Sequence, residues 1–133
     1  MKSILITGAT RGIGLALARF YADKGCCLTL NGGHDKDALA AVEKELSKKQ
    51  ESFPALALSL KRKQPSRMTQ KSMDTFGQID LLINNAGISH IGLLSDMTSE
   101  EWHTLMGTNL DSVFYMSKAG NPSYASSGTA EKF

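Results

Sequence analysis

The segment from Ile4 to Gly14 constrains the fold more than any other part of this sequence. An apolar run typical of a buried strand meets three glycines in the spacing G-x3-G-x-G, and a helical pattern begins directly after them. In such a turn, free backbone N–H groups and the positive end of the helix dipole point at an anion. Gly8 permits the tight turn, Gly12 lets the backbone approach a pyrophosphate, and Gly14 lets the helix pack closely on the strand. No Gly-Lys-Ser/Thr follows, which excludes a Walker-type loop.

The composition is that of one globular domain of 133 residues, 41% hydrophobic and 21% charged. A formal charge of +2 is too small to indicate binding to nucleic acid or to a membrane surface. Cys26 and Cys27 are adjacent in a predicted strand and cannot form an ordinary disulfide with each other, and two buried thiols are typical of a reducing compartment. No apolar run approaches the roughly 18 residues of a membrane span, and a core strand predicted to begin at Ser3 leaves no room for a signal peptide. We therefore expect a cytoplasmic protein.

Strand-like and helical patterns alternate along the chain. Strands are predicted over 3–7, 26–30, 55–60 and 79–83, and helices over 12–24, 35–50, 66–76 and 99–119. Asp35 is the expected N-cap of the second helix, Thr98 and Glu101 have the spacing of a capping box, and Gly107 is where the last helix could bend or divide. Residues 120–133 are rich in Gly, Ser and Pro and predict an irregular tail, so the domain is assigned to residues 1–119.

This alternation predicts an α/β fold, a Rossmann-type doubly wound parallel sheet of about four strands in the order 3-2-1-4, flanked by helices. A sheet of this kind binds its ligand outside the carboxyl ends of strands 1 and 4. Gly8–Gly14 and Asn84–Gly87 both fall at that edge of the predicted sheet. We expect the two segments to form one dinucleotide site.

The two motifs, at this separation, resemble those of the short-chain dehydrogenase/reductase family. The resemblance rests on three segments of the sequence. They are Thr7-Gly8-Ala9-Thr10-Arg11-Gly12-Ile13-Gly14, Asn84-Asn85-Ala86-Gly87, and Met97 to Trp102 together with Asn109-Leu110. The match covers about residues 2–119 and is similar in style to the 3-oxoacyl-carrier-protein reductases of that family. Relative to the family pattern the sheet is incomplete, and the chain is expected to be truncated at its C-terminus.

The resemblance implies a role for each matching residue. The residues implied to hold the pyrophosphate are Thr10, Arg11, Gly12 and Ile13, and those implied to line the ribose and nicotinamide side are Asn85, Ala86 and Gly87. Asn109 matches the family's helix asparagine, which holds a water in the proton relay. An asparagine that bonds to backbone near Gly107 stays open as the alternative for Asn109.

The end of the second strand bears on the choice of cofactor. Domains that prefer NAD place a carboxylate there to bind the ribose hydroxyls, whereas this chain has Asn31 followed by two glycines. Arg11 resembles the basic residue with which NADP-preferring members neutralise the 2′-phosphate. Asp35 could still serve NAD if the loop is offset. NADP(H) is favoured, and NAD(H) stays open.

The family's catalytic serine and Tyr-x-x-x-Lys pair have no match in this sequence. Tyr115 is followed at four residues by Ala119, and Tyr124 by Gly128. By resemblance the protein is a carbonyl reductase or alcohol dehydrogenase that transfers hydride to or from a small-molecule substrate, with Asn109 as the relay residue. The alternative is an inactive dinucleotide-binding remnant or partner-binding module. His90 and His103 have no metal-ligand spacing, so no metal is expected.

The fourth strand is predicted to lie at the edge of the sheet. Its apolar residues Leu81, Leu82 and Ile83 would then carry unpaired backbone groups, which invite association. The apolar face of the predicted 99–119 helix adds exposed surface. These features predict self-association through the strand-4 edge and this helix.

Overall fold

The computed structural model describes residues 1–33, 35–49, 55–58 and 65–126. The elements in chain order are β1 (Ser3–Thr7), α1 (Gly12–Asp23), β2 (Cys27–Asn31), α2 (Lys36–Lys49), β3 (Ala55–Leu58), α3 (Pro65–Phe76), β4 (Leu81–Ile83), a 3-10 turn (Leu94–Asp96), α4 (Ser99–Met106), a π-helical turn (Gly107–Asp111) and α5 (Ser112–Ser126). The predicted alternation of strands and helices is confirmed. Over the described ranges, every helix is too short or too polar to span a membrane.

The strands form one parallel sheet in the order β3-β2-β1-β4. β1 lies inside the sheet, where Ile4 is paired with Leu28 of β2 on one side and with Leu81 of β4 on the other. All five residues of β1 are buried, as expected for a parallel strand with helices on both faces. The carboxyl ends of β1 and β4 therefore lie side by side.

Side chains alternate between two apolar layers because successive residues of a strand point to opposite faces. Ile4 and Ile6 pack in a cluster with residues of α1 and α2, including Ala18 and Leu46. Leu5 belongs to a second cluster, whose other buried members are Met68 of α3, Ile79 and Met116 of α5. Helices thus cover both faces of the sheet, which confirms the Rossmann-type α/β class.

The predicted irregular tail from residue 120 is wrong over residues 120–126, where α5 continues through Ser126. Extending an existing helix fixes one residue for each added backbone hydrogen bond, whereas starting one fixes several residues for the first bond. Residues of weak helix propensity, such as Gly120 and Pro122, thus continue a helix that earlier residues have already nucleated. Residues 127–133 lie outside the described residues, as do residues 50 and 59–60 of the predicted second helix and third strand.

The predicted caps are confirmed. Asp35 accepts a hydrogen bond from the backbone N–H of Ala38 at 2.9 Å. Thr98 and Glu101 form the capping box, with the Thr98 N–H donating to Glu101 Oε2 at 2.8 Å and the Glu101 N–H donating to Thr98 Oγ1 at 3.2 Å. The bond from the Thr98 backbone is the main reason that the pKa of Glu101 is lowered from its ordinary value. The helix predicted over 99–119 divides at Gly107, as expected for that position.

A buried hydroxyl pair joins β2 to α3 and provides a test of the packing. Thr29 Oγ1 donates to Ser72 Oγ at 2.8 Å, and both side chains are fully buried. We expect Ser72→Ala to lower the free energy of unfolding by about 1–3 kcal/mol, because it leaves the Thr29 hydroxyl buried without its acceptor. Thr29→Val should also destabilise, and the double variant should lose less than the sum, since it removes both polar groups. Urea unfolding of the native protein, the two single variants and the double variant gives this double-mutant cycle. If the two single losses of unfolding free energy add up to the loss of the double variant, the two hydroxyls are not coupled.

Candidate functional site

The glycine turn after β1 requires its three glycines for two different reasons. Gly8 and Gly12 have positive φ angles, +67° and +53°, which favour glycine because it lacks a Cβ. A Cβ on Gly14 would collide with the carbonyl oxygen of Gly8 and would stand 2.5 Å from Asn85 Nδ2. Gly14 therefore lets α1 lie directly against the turn.

Thr7 and Asn85 connect this turn to the end of β4. The Thr7 hydroxyl accepts hydrogen bonds from the backbone N–H groups of Asn85, at 3.1 Å, and Ala86, at 3.0 Å, and donates to the carbonyl of Ile83 at 3.4 Å. In return, Asn85 Nδ2 donates to the carbonyls of Thr7 and Gly8, at 3.0 and 3.1 Å. A Cβ on Gly8 would come within 2.9 Å of Ala86 Cα, so the two segments are in direct contact. The structure brings together the two motifs that the sequence singled out.

The start of α1 is open to solvent on the side away from this contact. Apart from its chain neighbours and its own helix, no described atom lies within 4 Å of where a Cβ on Gly12 would stand. Ile13 is 72% exposed although it is a large apolar side chain. Arg11 is exposed and does not cap the helix with its side chain. The first backbone N–H groups of the helix therefore face a surface that a ligand can approach.

The carboxyl end of β2 borders the same turn. The N–H of Ala9 donates to the carbonyl of Asn31 at 2.9 Å, and a Cβ on Gly32 would stand 2.5 Å from Cγ2 of Thr10. Thr10 therefore packs over Gly32, and Arg11 follows it in the chain. Asp35, the carboxylate that the sequence offers to a ribose near this loop, caps α2 through its Oδ1.

Asn109 lies in the π-helical turn and contacts the segment that follows β4. Its Oδ1 accepts from the backbone N–H of Ile88 and its Nδ2 donates to the carbonyl of Ile88, both at 2.8 Å. A Cβ on Gly87 would stand 3.5 Å from the same Oδ1. The side chain thus holds Gly87 and Ile88 in place by a two-way backbone contact, and π turns occur frequently at functional sites. Its relay role stays a prediction.

Two contacts of the site were not anticipated from the sequence. The sequence predicts Thr7 as the last residue of a buried strand, whereas its hydroxyl makes three bonds to β4 and the segment after it. Ile88 lies outside the motifs of the sequence, although its backbone is what Asn109 binds. The one sequence feature that could have indicated the role of Thr7 is a hydroxyl side chain directly before the first glycine of the turn. Ile88 and Asn109 are 21 positions apart, and no sequence pattern indicates that they are partners.

The turn predicts a contrast between two glycine substitutions. Gly14→Ala should strongly destabilise the fold, by about 3 kcal/mol or more, because its methyl group overlaps backbone that cannot move away. Gly12→Ala meets no obstacle and should cost only about 1–2 kcal/mol for the positive φ angle. Thermal or urea unfolding measures both. Equal losses for the two variants would contradict the tight contact between α1 and the turn.

Comparison with known proteins agrees with this geometry. The family model for short chain dehydrogenases matches residues 2–130. The 3-oxoacyl-(acyl-carrier-protein) reductase FabG of Staphylococcus epidermidis is 40% identical over 114 residues, which are 85% of this chain and 47% of that protein. An alcohol dehydrogenase from the archaeon Thermococcus sibiricus, solved in complex with 5-hydroxy-NADP, superposes with a TM-score of 0.88 at 32% identity, over 96% of this chain and 55% of that one.

A blue fluorescent protein from a metagenomic library, solved in complex with NADPH, superposes with a TM-score of 0.83 at 27% identity, over 92% of this chain and 51% of that one. The chain thus spans about half the length of the proteins it resembles. The family match covers nearly all of the chain, including both motifs described above. This chain belongs to the short-chain dehydrogenase family.

Proposed function

We propose that the crevice between the glycine turn and the end of β4 binds NADP(H). The main support for the proposal is that the surroundings of Gly14 and Gly12 differ. Gly14 is packed against backbone, whereas the surface at Gly12 is open at the N-terminus of α1. A helix N-terminus with free N–H groups and no competing side-chain cap suits a pyrophosphate. In this proposal the pyrophosphate is held by the backbone of Thr10, Arg11, Gly12 and Ile13, with Gly8 and Gly14 shaping the turn, and the Arg11 side chain is left for a second phosphate.

The preference for NADP(H) over NAD(H) is supported by the charges around the end of β2. The residue at that end is Asn31, so no carboxylate from this position repels a 2′-phosphate. Asp35 is already bonded to the α2 backbone. Arg11 is exposed next to Thr10, which packs over Gly32, and its guanidinium can pair with a phosphate in a bidentate manner. Two of the structurally similar proteins were solved with 5-hydroxy-NADP and with NADPH.

On the other side of the turn, Asn85, Ala86 and Gly87 supply the wall for the ribose and nicotinamide. Asn85 is fixed by its bonds to Thr7 and Gly8, and Gly87 by the contact of Asn109 with Ile88. When bound, the cofactor donates or accepts the hydride. The chain contributes binding and orientation of that cofactor, and in a whole enzyme Asn109 would additionally hold a relay water.

We further propose that the protein acts in an oxidoreductase reaction on a small-molecule carbonyl or alcohol, with neither nucleic acid nor membrane as a partner. The 40% identity to a 3-oxoacyl-(acyl-carrier-protein) reductase supports that substrate class. Because the sequence has no Tyr-x-x-x-Lys, the chain alone is proposed to bind the cofactor without turning over. The buried free thiols of Cys26 and Cys27 support a reducing compartment such as the cytoplasm.

Cofactor titration with three variants tests the binding proposal. Binding of NADPH, followed by the change in nucleotide fluorescence, should be at least about tenfold tighter than binding of NADH. Arg11→Gln should weaken NADPH by about tenfold or more with little effect on NADH, because it removes the charge that pairs with the 2′-phosphate. Asn31→Asp should weaken NADPH by repulsion and leave NADH equal or improved.

Lys24→Gln is the matched control, since it removes an exposed positive charge from the far end of α1. Equal effects of Arg11→Gln and Lys24→Gln would contradict a local phosphate contact. Absence of NADPH binding by the folded chain would overturn the proposal. A separate assay with a 3-oxoacyl thioester tests the second statement, because turnover by the chain alone would contradict binding without catalysis.

A further inference from the structure

Asn31 is the one asparagine of this sequence that is followed by glycine. The other asparagines are followed by residues that carry a side chain, and in one case by Pro122, which has no backbone N–H. The difference matters because the backbone nitrogen of the next residue can attack an asparagine side chain and close a succinimide ring. A Cβ on that next residue obstructs ring closure, and glycine has none. Asn31-Gly32 therefore has the least steric protection against loss of the side-chain amide.

The peptide bond after Asn31 lies at an end of the sheet. Asn31 is the last residue of β2 and pairs with Leu58, the last residue of β3. The carbonyl of Asn31 accepts the N–H of Ala9, which follows β1. Because the N–H of Gly32 is trans to that carbonyl, it faces β3. Within the described ranges β3 is an edge strand of four residues, and backbone pairing at the end of a short edge strand opens at low free energy.

Solvent reaches this dipeptide. Asn31, Gly32 and Gly33 are all partly exposed. Apart from its chain neighbours, no described atom lies within 4 Å of where a Cβ on Gly33 would stand. Two successive glycines allow a wider range of backbone rotation than any other pair of residues. Once the end of β2 opens, the rotation that ring closure requires is therefore available.

Two asparagines elsewhere in the candidate site are protected. Asn85 Nδ2 donates to two backbone carbonyls, at 3.0 and 3.1 Å. The Asn109 side chain bonds a backbone N–H and a backbone carbonyl, both at 2.8 Å. The residue that follows each of them carries a Cβ. They are therefore internal references for the reactivity of Asn31.

We propose that Asn31 is a deamidation site and that the carboxylate formed there weakens the binding of NADP(H). The loss of affinity, though not the deamidation itself, rests on the proposed function. A carboxylate at the end of β2 is the group that NAD-preferring domains place beside the ribose hydroxyls. Thr10 packs over Gly32, and Arg11 follows Thr10 in the chain. The new negative charge thus arises close to the turn that carries Arg11, where it repels a 2′-phosphate.

The reaction consumes only water. The backbone nitrogen of Gly32 forms a bond to Cγ of Asn31, the Cγ–Nδ2 bond breaks, and ammonia leaves with the proton of the Gly32 N–H. Water then opens the succinimide. Opening at the side-chain carbonyl gives aspartate, and opening at the backbone carbonyl gives isoaspartate. No electrons are transferred, so the step needs neither an oxidant nor a reductant. Because Gly32 packs against Thr10 and Leu39, ring closure waits for local opening and is slower than in an unfolded chain.

Storage of the full chain without cofactor in mildly alkaline buffer tests the deamidation. After digestion with trypsin, the peptide of residues 25–36 contains Asn31 as its one asparagine. Mass spectrometry over days should show this peptide gaining the mass difference between an amide and an acid. An isoaspartyl methyltransferase should label part of the product. The peptide of residues 72–118, which contains Asn85 and Asn109, should keep its amides. The chain unfolded in urea should react about tenfold faster or more.

Asn31→Gln is the matched variant, because it keeps a side-chain amide but would have to close a larger ring. Its peptide should gain no mass during the same storage. Ion exchange separates the deamidated native chain, which carries one additional negative charge. The dissociation constant of this fraction for NADPH should be about tenfold or more above that of the fresh chain, with NADH bound equally or more tightly. Asn31→Gln should keep its own initial affinity for NADPH throughout storage.

Two results would overturn the proposal. One is an intact amide at Asn31 in the folded chain at the time when the unfolded chain has been converted. The other is a deamidated fraction that binds NADPH as tightly as the fresh chain while Asn31→Asp binds it weakly. If the deamidated fraction and Asn31→Asp both bind NADPH as tightly as the fresh chain, the deamidation site stands, and the proposed place of the 2′-phosphate is wrong.

Discussion

The site depends on the hydrogen bonds that join the end of β1 to the segment after β4. Asn85 donates three hydrogen bonds across the two segments, from its backbone N–H to the Thr7 hydroxyl and from its side-chain amide to the carbonyls of Thr7 and Gly8. These bonds satisfy partly buried backbone groups and hold the glycine turn against the end of β4. In the proposed cofactor site, the turn held in this way presents the N-terminus of α1 to the pyrophosphate.

Asn109 provides a second fixed point on the same side of the sheet. Its side chain binds both backbone groups of Ile88, and it does so from a π-helical turn between α4 and α5. The chain from Gly87 onward is thus positioned by a residue that lies on a helix element rather than by its own local structure. Both sides of the crevice are held by amide side chains, which can donate and accept at once.

Much of this arrangement could be predicted from the order of residue types. The α/β class followed from alternating periods, and the caps at Asp35 and Thr98 followed from local spacing, because helix capping involves residues only three positions apart. The extension of α5 through Ser126 could not be predicted, because Gly120 and Pro122 are residues that disfavour a helix interior. The role of Thr7 was missed because its partners are 78 and 79 positions away.

The sequence by itself indicated where glycine is required and which charged or uncharged side chains the proposed dinucleotide site offers, because both are properties of single positions. Gly8, Gly12, Arg11 and Asn31 could be named on that basis. Only the tertiary structure decided that Gly14 touches the Gly8 carbonyl, that Thr10 packs over Gly32, and that Asn109 holds Ile88. Those facts depend on distances between helices and strands. The packing of the two helical layers on the sheet determines those distances.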